Sequence, residues 1–169
     1  MEDSKCSSWM SVTQPTIGPW AKSWVDGYLT AFNRHHTDPS AQNSTLNYEG
    51  VSSWIDNYCH RDPQLTLGSA AVALAKENAF TEGTQKTTDC ATWVSFERSD
   101  PPMPALLAWM MGYLTAFDRY DAVHTPRIRE MPVNPMEDWI TGYCIHHQTD
   151  ALGMAASTYI ADQITEAPH

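Results

Sequence analysis

The four cysteines carry the plainest chemistry in this 169-residue chain. They stand at Cys6, Cys59, Cys90 and Cys144, an even set with none left over, which suits disulfides. No Cys-x-x-Cys occurs, so a zinc or thioredoxin-like centre fits poorly. Histidines are the second group to weigh. His35-His36 and His146-His147 are adjacent pairs. Neighbours on a helix point about 100° apart, whereas a chelating pair sits at i, i+4. Exposed helix ends, where His suits the dipole, account for them better. His60, His124 and His169 add no spacing pattern. The acids Asp26, Asp56, Glu77, Glu97, Asp118 and Glu137 lie scattered on expected polar helix faces. The sequence offers no nucleophile–base pair, no phosphate loop and no His-Glu-x-x-His. It therefore predicts a non-enzymatic protein without metal or cofactor.

The elements that place these residues come in two copies. Trp24-Val25-Asp26-Gly27-Tyr28-Leu29-Thr30-Ala31-Phe32 returns as Trp109-Met110-Met111-Gly112-Tyr113-Leu114-Thr115-Ala116-Phe117. Cys6-Ser7-Ser8-Trp9 matches Cys90-Ala91-Thr92-Trp93, and Trp54-Ile55-Asp56-Asn57-Tyr58-Cys59 matches Trp139-Ile140-Thr141-Gly142-Tyr143-Cys144. Leu67-Gly68 and Ala70-Ala71 match Leu152-Gly153 and Ala155-Ala156. The register reads as a tandem duplication with an offset of 84 to 85, longer than solenoid repeats of about 20–50 residues. Two small domains are expected, 1–82 and 83–169. Equivalent positions suggest the disulfides Cys6–Cys59 and Cys90–Cys144; crossed pairing or four free thiols are the alternatives. Each bridge would be worth about 4 kcal/mol in the chain-entropy model. Disulfides imply an oxidising compartment, periplasmic or secreted.

Within each copy the apolar spacing is helical. Trp20, Trp24, Gly27, Tyr28 and Ala31 fall on one face. Gly27 and Gly112 cost helix propensity, which points to close helix approach where a Cβ would clash. Helices are expected near 6–11, 20–35 and 48–60, then from Asp62-Pro63 to about Asn78. The second copy predicts helices near 89–97 and 104–120. It then predicts one capped by Asn134-Pro135-Met136-Glu137 and running to His147, and a last one over 150–164. Residues 37–47 and 121–133 read as loops and 79–88 as the linker. No sustained period-2 pattern appears, so the fold class is all-α: two tandem four-helix units packed as a pseudo-two-fold pair. The aromatics Trp24/Trp109, Tyr28/Tyr113, Trp54/Trp139 and Tyr58/Tyr143 could form a stacking surface for a ligand. Their apolar spacing favours the core.

The formal net charge is −10, shared by both halves, which argues against a nucleic-acid partner. No apolar run approaches the ~20 residues of a membrane span. Met1-Glu2-Asp3-Ser4-Lys5 has no apolar leader core, so a mature sequence is expected, its leader replaced by a start Met.

The motifs Cys-x-x-Trp, Trp-x-x-Gly-Tyr-Leu and Tyr-Cys followed by Asp62-Pro63 resemble the Tai-type immunity family. Those proteins neutralise peptidoglycan amidase effectors of type VI secretion. The pattern is also similar to HdeA-like acid-stress chaperones of the periplasm. The resemblance covers Cys6 to about Ala79 and Cys90 to about Ile164. The second copy departs from it, with Ile145-His146-His147-Gln148 in place of His60-Arg61-Asp62-Pro63. The resemblance implies small helical units, homodimeric in those families, so that a covalent tandem would be an intramolecular pseudo-dimer. It also implies a protein-binding role, as inhibitor of a secreted cell-wall hydrolase. A structural or accessory subunit of an extracytoplasmic complex and an acid-stress chaperone are the other readings. Since the copies differ most in their loops, Arg127 and Arg129 in 121–133 are the expected partner contacts.

Overall fold

In a computed structural model, the fold is described for residues 2–10, 17–35, 48–77, 89–97, 104–120 and 133–166. Among them the chain is all-helical, with eight helices and no named strand. In order these are α1 (Cys6–Met10), α2 (Ile17–His35), α3 (Tyr48–Arg61), α4 (Leu67–Glu77), α5 (Cys90–Glu97), α6 (Pro104–Tyr120), α7 (Val133–His146) and α8 (Leu152–Glu166). Pro104 opens α6 where its missing N–H is not needed.

Helices α2 and α6 lie against each other along the centre. Gly27 faces the Trp109 backbone and Gly112 faces the Trp24 backbone; further along, Phe32 packs edge-on against Tyr120. Beyond the glycine crossing, Phe32 lies further along α2 and its partner Tyr120 further along α6, so the two helices run in the same direction. Their meeting faces bury Trp24, Val25, Tyr28, Met110, Tyr113 and Leu114. The expected clash is present at both glycines, where a Cβ would sit within 2 Å of the opposing carbonyl oxygen.

The remaining helices pack around this pair through like contacts. Helix α1 packs on α3 and α5 on α7; α3 on α4 and α7 on α8; α2 on α4 and α6 on α8. Cys6 is bonded to Cys59, with Cα atoms 4.9 Å apart, and Cys90 to Cys144, at 4.7 Å. All four sulfur-bearing residues are fully buried. Beside each bridge an isolated antiparallel bridge joins the strand-like entry of the short helix to the turn before the last: Lys5 with Thr66, and Asp89 with Ala151.

Helix α2 begins at Ile17, before the expected Trp20; the starts of α4 and α8 also differ from the sequence expectation, and these two for the same reason. Asp62-Pro63 does not open α4. The Asp62 side chain instead accepts from the Gln64 N–H and its carbonyl accepts from the Leu65 N–H, which makes a turn. That turn presents the Pro63 and Leu65 carbonyls to the N–H groups of Ser7 and Cys6, at 3.1 and 2.8 Å. The unpaired donors at the start of α1 are thereby satisfied. The cap of α4 is Thr66, whose Oγ1 accepts from the Ser69 N–H. Likewise α8 begins at Leu152 instead of Asp150, because Gln148 and Asp150 give their carbonyls to Ala91 and Cys90. Helix α7 begins at Val133, one residue before the expected Asn134 cap.

Candidate protein-binding face

The repeated aromatics divide into two sets. Trp24, Tyr28, Trp109 and Tyr113 are buried in the core. The Tyr113 hydroxyl pairs with Ser157 Oγ at 2.9 Å, and the Tyr28 hydroxyl donates to that of Tyr120 at 3.1 Å. Burial and the Tyr120 hydroxyl push the Tyr28 phenol well above its usual range. These four are structural.

Trp54, Tyr58, Trp139 and Tyr143 are only half-buried. They sit four residues apart on α3 and α7, so their rings overlie one another. Trp54 stacks on Tyr58 with centroids 5.1 Å apart and planes 19° apart. Trp139 stacks on Tyr143 at 5.5 Å and 12°. The columns end differently. On α3 the Arg61 guanidinium lies over the Tyr58 ring at 5.7 Å, a cation–π contact. On α7 the His147 imidazole stacks on Tyr143 at 4.3 Å and 19°, extending the column to three rings. Asp150 fixes that end: its Oδ2 accepts from the Tyr143 hydroxyl at 2.8 Å and faces His147 Nδ1 at 3.8 Å. The bond to Asp150 raises the Tyr143 phenol above its usual value. Tyr159 of α8 packs edge-on against Trp139 and holds the other end.

Both short helices are anchored behind these columns by a tryptophan. Trp9 donates its indole N–H to Asp56 on α3, and Trp93 donates to Thr141 Oγ1 on α7 at 2.9 Å. Asp56 is thus part of the scaffold.

The sequence-nominated groups are placed as follows. His146 ends α7 and His147 follows it; both are exposed and they do not act as a pair, since His147 alone joins the aromatic column. His60 is exposed, its Nδ1 2.7 Å from the Asp56 carbonyl. The side chain of His35, and His36, His124 and His169 entirely, lie outside the described residues. Among the described residues no three His, Cys, Asp or Glu side chains gather as a metal site. Asp26, Asp56, Glu77, Asp118 and Glu137 form no such cluster there either, and the side chain of Glu97 lies outside the described residues. Asp26 on α2 is buried enough for its carboxyl to be pushed up to about 7. Arg127 and Arg129, the expected contacts, fall outside the described residues, as does the rest of 121–132. The His147 stack and the Arg61 contact were missed in the sequence. The signal for the first was present, since Trp139, Tyr143 and His147 stand at i, i+4 and i+8.

No described helix is long and apolar enough to cross a membrane. Comparison with protein-family models, curated proteins and solved structures returned no match to this chain.

Proposed function

We propose that this chain is a non-enzymatic protein-binding module of an oxidising, extracytoplasmic compartment, periplasmic or secreted. Two homologous four-helix units, 1–82 and 83–169, would each be closed by one disulfide and paired about a pseudo-two-fold axis between α2 and α6. The reciprocal glycine contacts, Gly27 on Trp109 and Gly112 on Trp24, support that symmetry. Two buried disulfides are compatible with the compartment.

The observation that carries the binding role is the half-exposed aromatic column on α7. Trp and Tyr are enriched in interface cores because they bring large area at low conformational cost. The resemblance to Tai-type immunity proteins gives the role its specific form, inhibition of a secreted cell-wall hydrolase. The test is affinity capture from a periplasmic extract with the full chain as bait. A hydrolase as dominant catch supports inhibition. A stable multi-subunit assembly moves the chain to an accessory role. No captured protein at micromolar bait removes the binding role.

A further inference from the structure

We propose that the α7–α8 hairpin docks a cationic segment of a partner protein, its Lys or Arg stems lying along the Trp139–Tyr143–His147 column. The proposal rests on the protein-binding reading above and names the chemistry of the partner.

Three observations converge on this face. First, residues 133–166 contain Glu137, Asp138, Asp150, Asp162 and Glu166 but no Lys or Arg. Arg34 of α2 does reach the hairpin, but at the Gly153 carbonyl, 2.9 Å away at the start of α8. A hairpin of one charge sign attracts and orients an oppositely charged segment.

Second, the column has an open flank. Asp138, Gly142 and Ile145 stand at i, i+4 and i+7, so they form one stripe beside it. All three are exposed, Ile145 at 47%. Nothing lies within 4 Å of where a Gly142 Cβ would be. The result is an open strip of helix surface beside the aromatic column, with a carboxylate at its end. Long basic side chains suit that shape, since their methylene stems cover apolar surface while the head group stays at a charge.

Third, the equivalent α3 face already holds such a group. There the chain's own Arg61 covers the Tyr58 ring. At the matching place in α7 stands His146, which is exposed, and Asn57 of α3 gives way to Gly142. On α7 the Tyr143 ring is capped by His147 instead, so a basic stem would lie along the edge of the column, beside exposed His146, and not over the ring face.

The test uses the full chain, labelled for amide shift mapping. The probe is a synthetic peptide of about twelve residues repeating Arg-Gly-Gly, with its Glu-Gly-Gly counterpart as control. The expected result is binding of the arginine peptide alone, with the largest shifts at Asp138, Trp139, Tyr143 and His147. Asp138→Lys should weaken it about tenfold or more. Ser53→Lys, which puts a lysine at the matching exposed position of α3, should leave it unaltered. Trp139→Ala should weaken it about fivefold. If that variant loses helicity, His147→Ala at the exposed end serves instead. Shifts spread equally over both hairpins would overturn the proposal, as would equal effects of Asp138→Lys and Ser53→Lys or no binding at all. Should the peptide fail while capture still yields a partner, the cationic chemistry falls and the binding role stands.

Discussion

Gly27 and Trp109 meet backbone to backbone. A Cβ on Gly27 would lie 1.8 Å from the Trp109 carbonyl oxygen and 3.0 Å from the Tyr113 nitrogen. Neither neighbour can swing aside as a side-chain tip would. Gly27→Ala therefore has to part α2 from α6 and loosen the aromatics packed on both sides. The expected loss is at least about 3 kcal/mol, or about 10 °C in melting temperature for a chain of this size. Gly112→Ala should cost as much, since it meets the Trp24 carbonyl at 1.9 Å. Gly142→Ala is the opposite case. It is exposed within α7 with open space at its Cβ, so alanine should raise stability by about 1 kcal/mol through helix propensity. Thermal melts of the three variants check both signs. Equal behaviour of all three would show that the close approach is not a constraint.

The disulfides close loops of nearly equal length, with sequence separations of 53 and 54. Cys6→Ala with Cys59→Ala, and Cys90→Ala with Cys144→Ala, should each lower stability by about 4 kcal/mol through loop entropy restored to the unfolded chain. Urea unfolding of the two double variants is the measurement. A loss below about 1 kcal/mol in either would mean that native packing holds that loop without the bond.

Asp26 gives the fold a pH dependence. Burial on α2 raises its carboxyl from 3.8 to about 7. The folded chain then binds more protons here than the unfolded chain between about pH 4 and pH 7. Its contribution to stability is therefore present below pH 4, falls as pH rises through that window, and levels off above pH 7. At about 1.4 kcal/mol for each pH unit of displacement, the fall is at most about 4 kcal/mol. Asp26→Asn should remove it. So should Asp26→Met, which copies Met111 at the matching position of α6. Melts at pH 4 and pH 8 should show wild type losing ground to both variants at the higher pH; parallel curves would sink the claim.

Much of this was legible because it rests on local rules. The face of Trp24, Gly27, Tyr28 and Ala31 announces a buried helix, although Trp20, read onto the same face, is exposed, and a glycine repeated within it announces close approach. The starts of α4 and α8 were less legible. Asp62-Pro63 is a sound local opening for a helix, yet the carbonyls that follow are drawn into pairing with α1, a partner more than fifty residues away. The column on α7 was half legible. Its spacing is in the chain, but Trp24–Tyr28 and Trp139–Tyr143 share that spacing, and only packing separates the buried pair from the half-exposed one. Arg61 over Tyr58 is an i, i+3 pair whose spacing also stands in the chain, though that spacing alone does not single it out from other such pairs.

The two tryptophan anchors allow one position to be exchanged for its counterpart. Trp9 is buried and donates its indole N–H to the Asp56 carboxylate, whereas buried Trp93 donates to the Thr141 hydroxyl. Removing either acceptor leaves a donor beside the core without its partner, at a cost of about 1–2 kcal/mol. Asp56→Ala should therefore destabilise α1 against α3. Asp56→Thr should recover most of that loss, because the α5–α7 contact already uses threonine for the same indole. The recovery also separates the hydrogen bond from the charge: a carboxylate needed for its charge would leave Thr no better than Ala. Melting temperatures of the two variants, with Trp9 fluorescence to report its surroundings, decide between these outcomes. Thr equal to Ala would mean that the contact depends on ionisation and that the two anchors are not interchangeable.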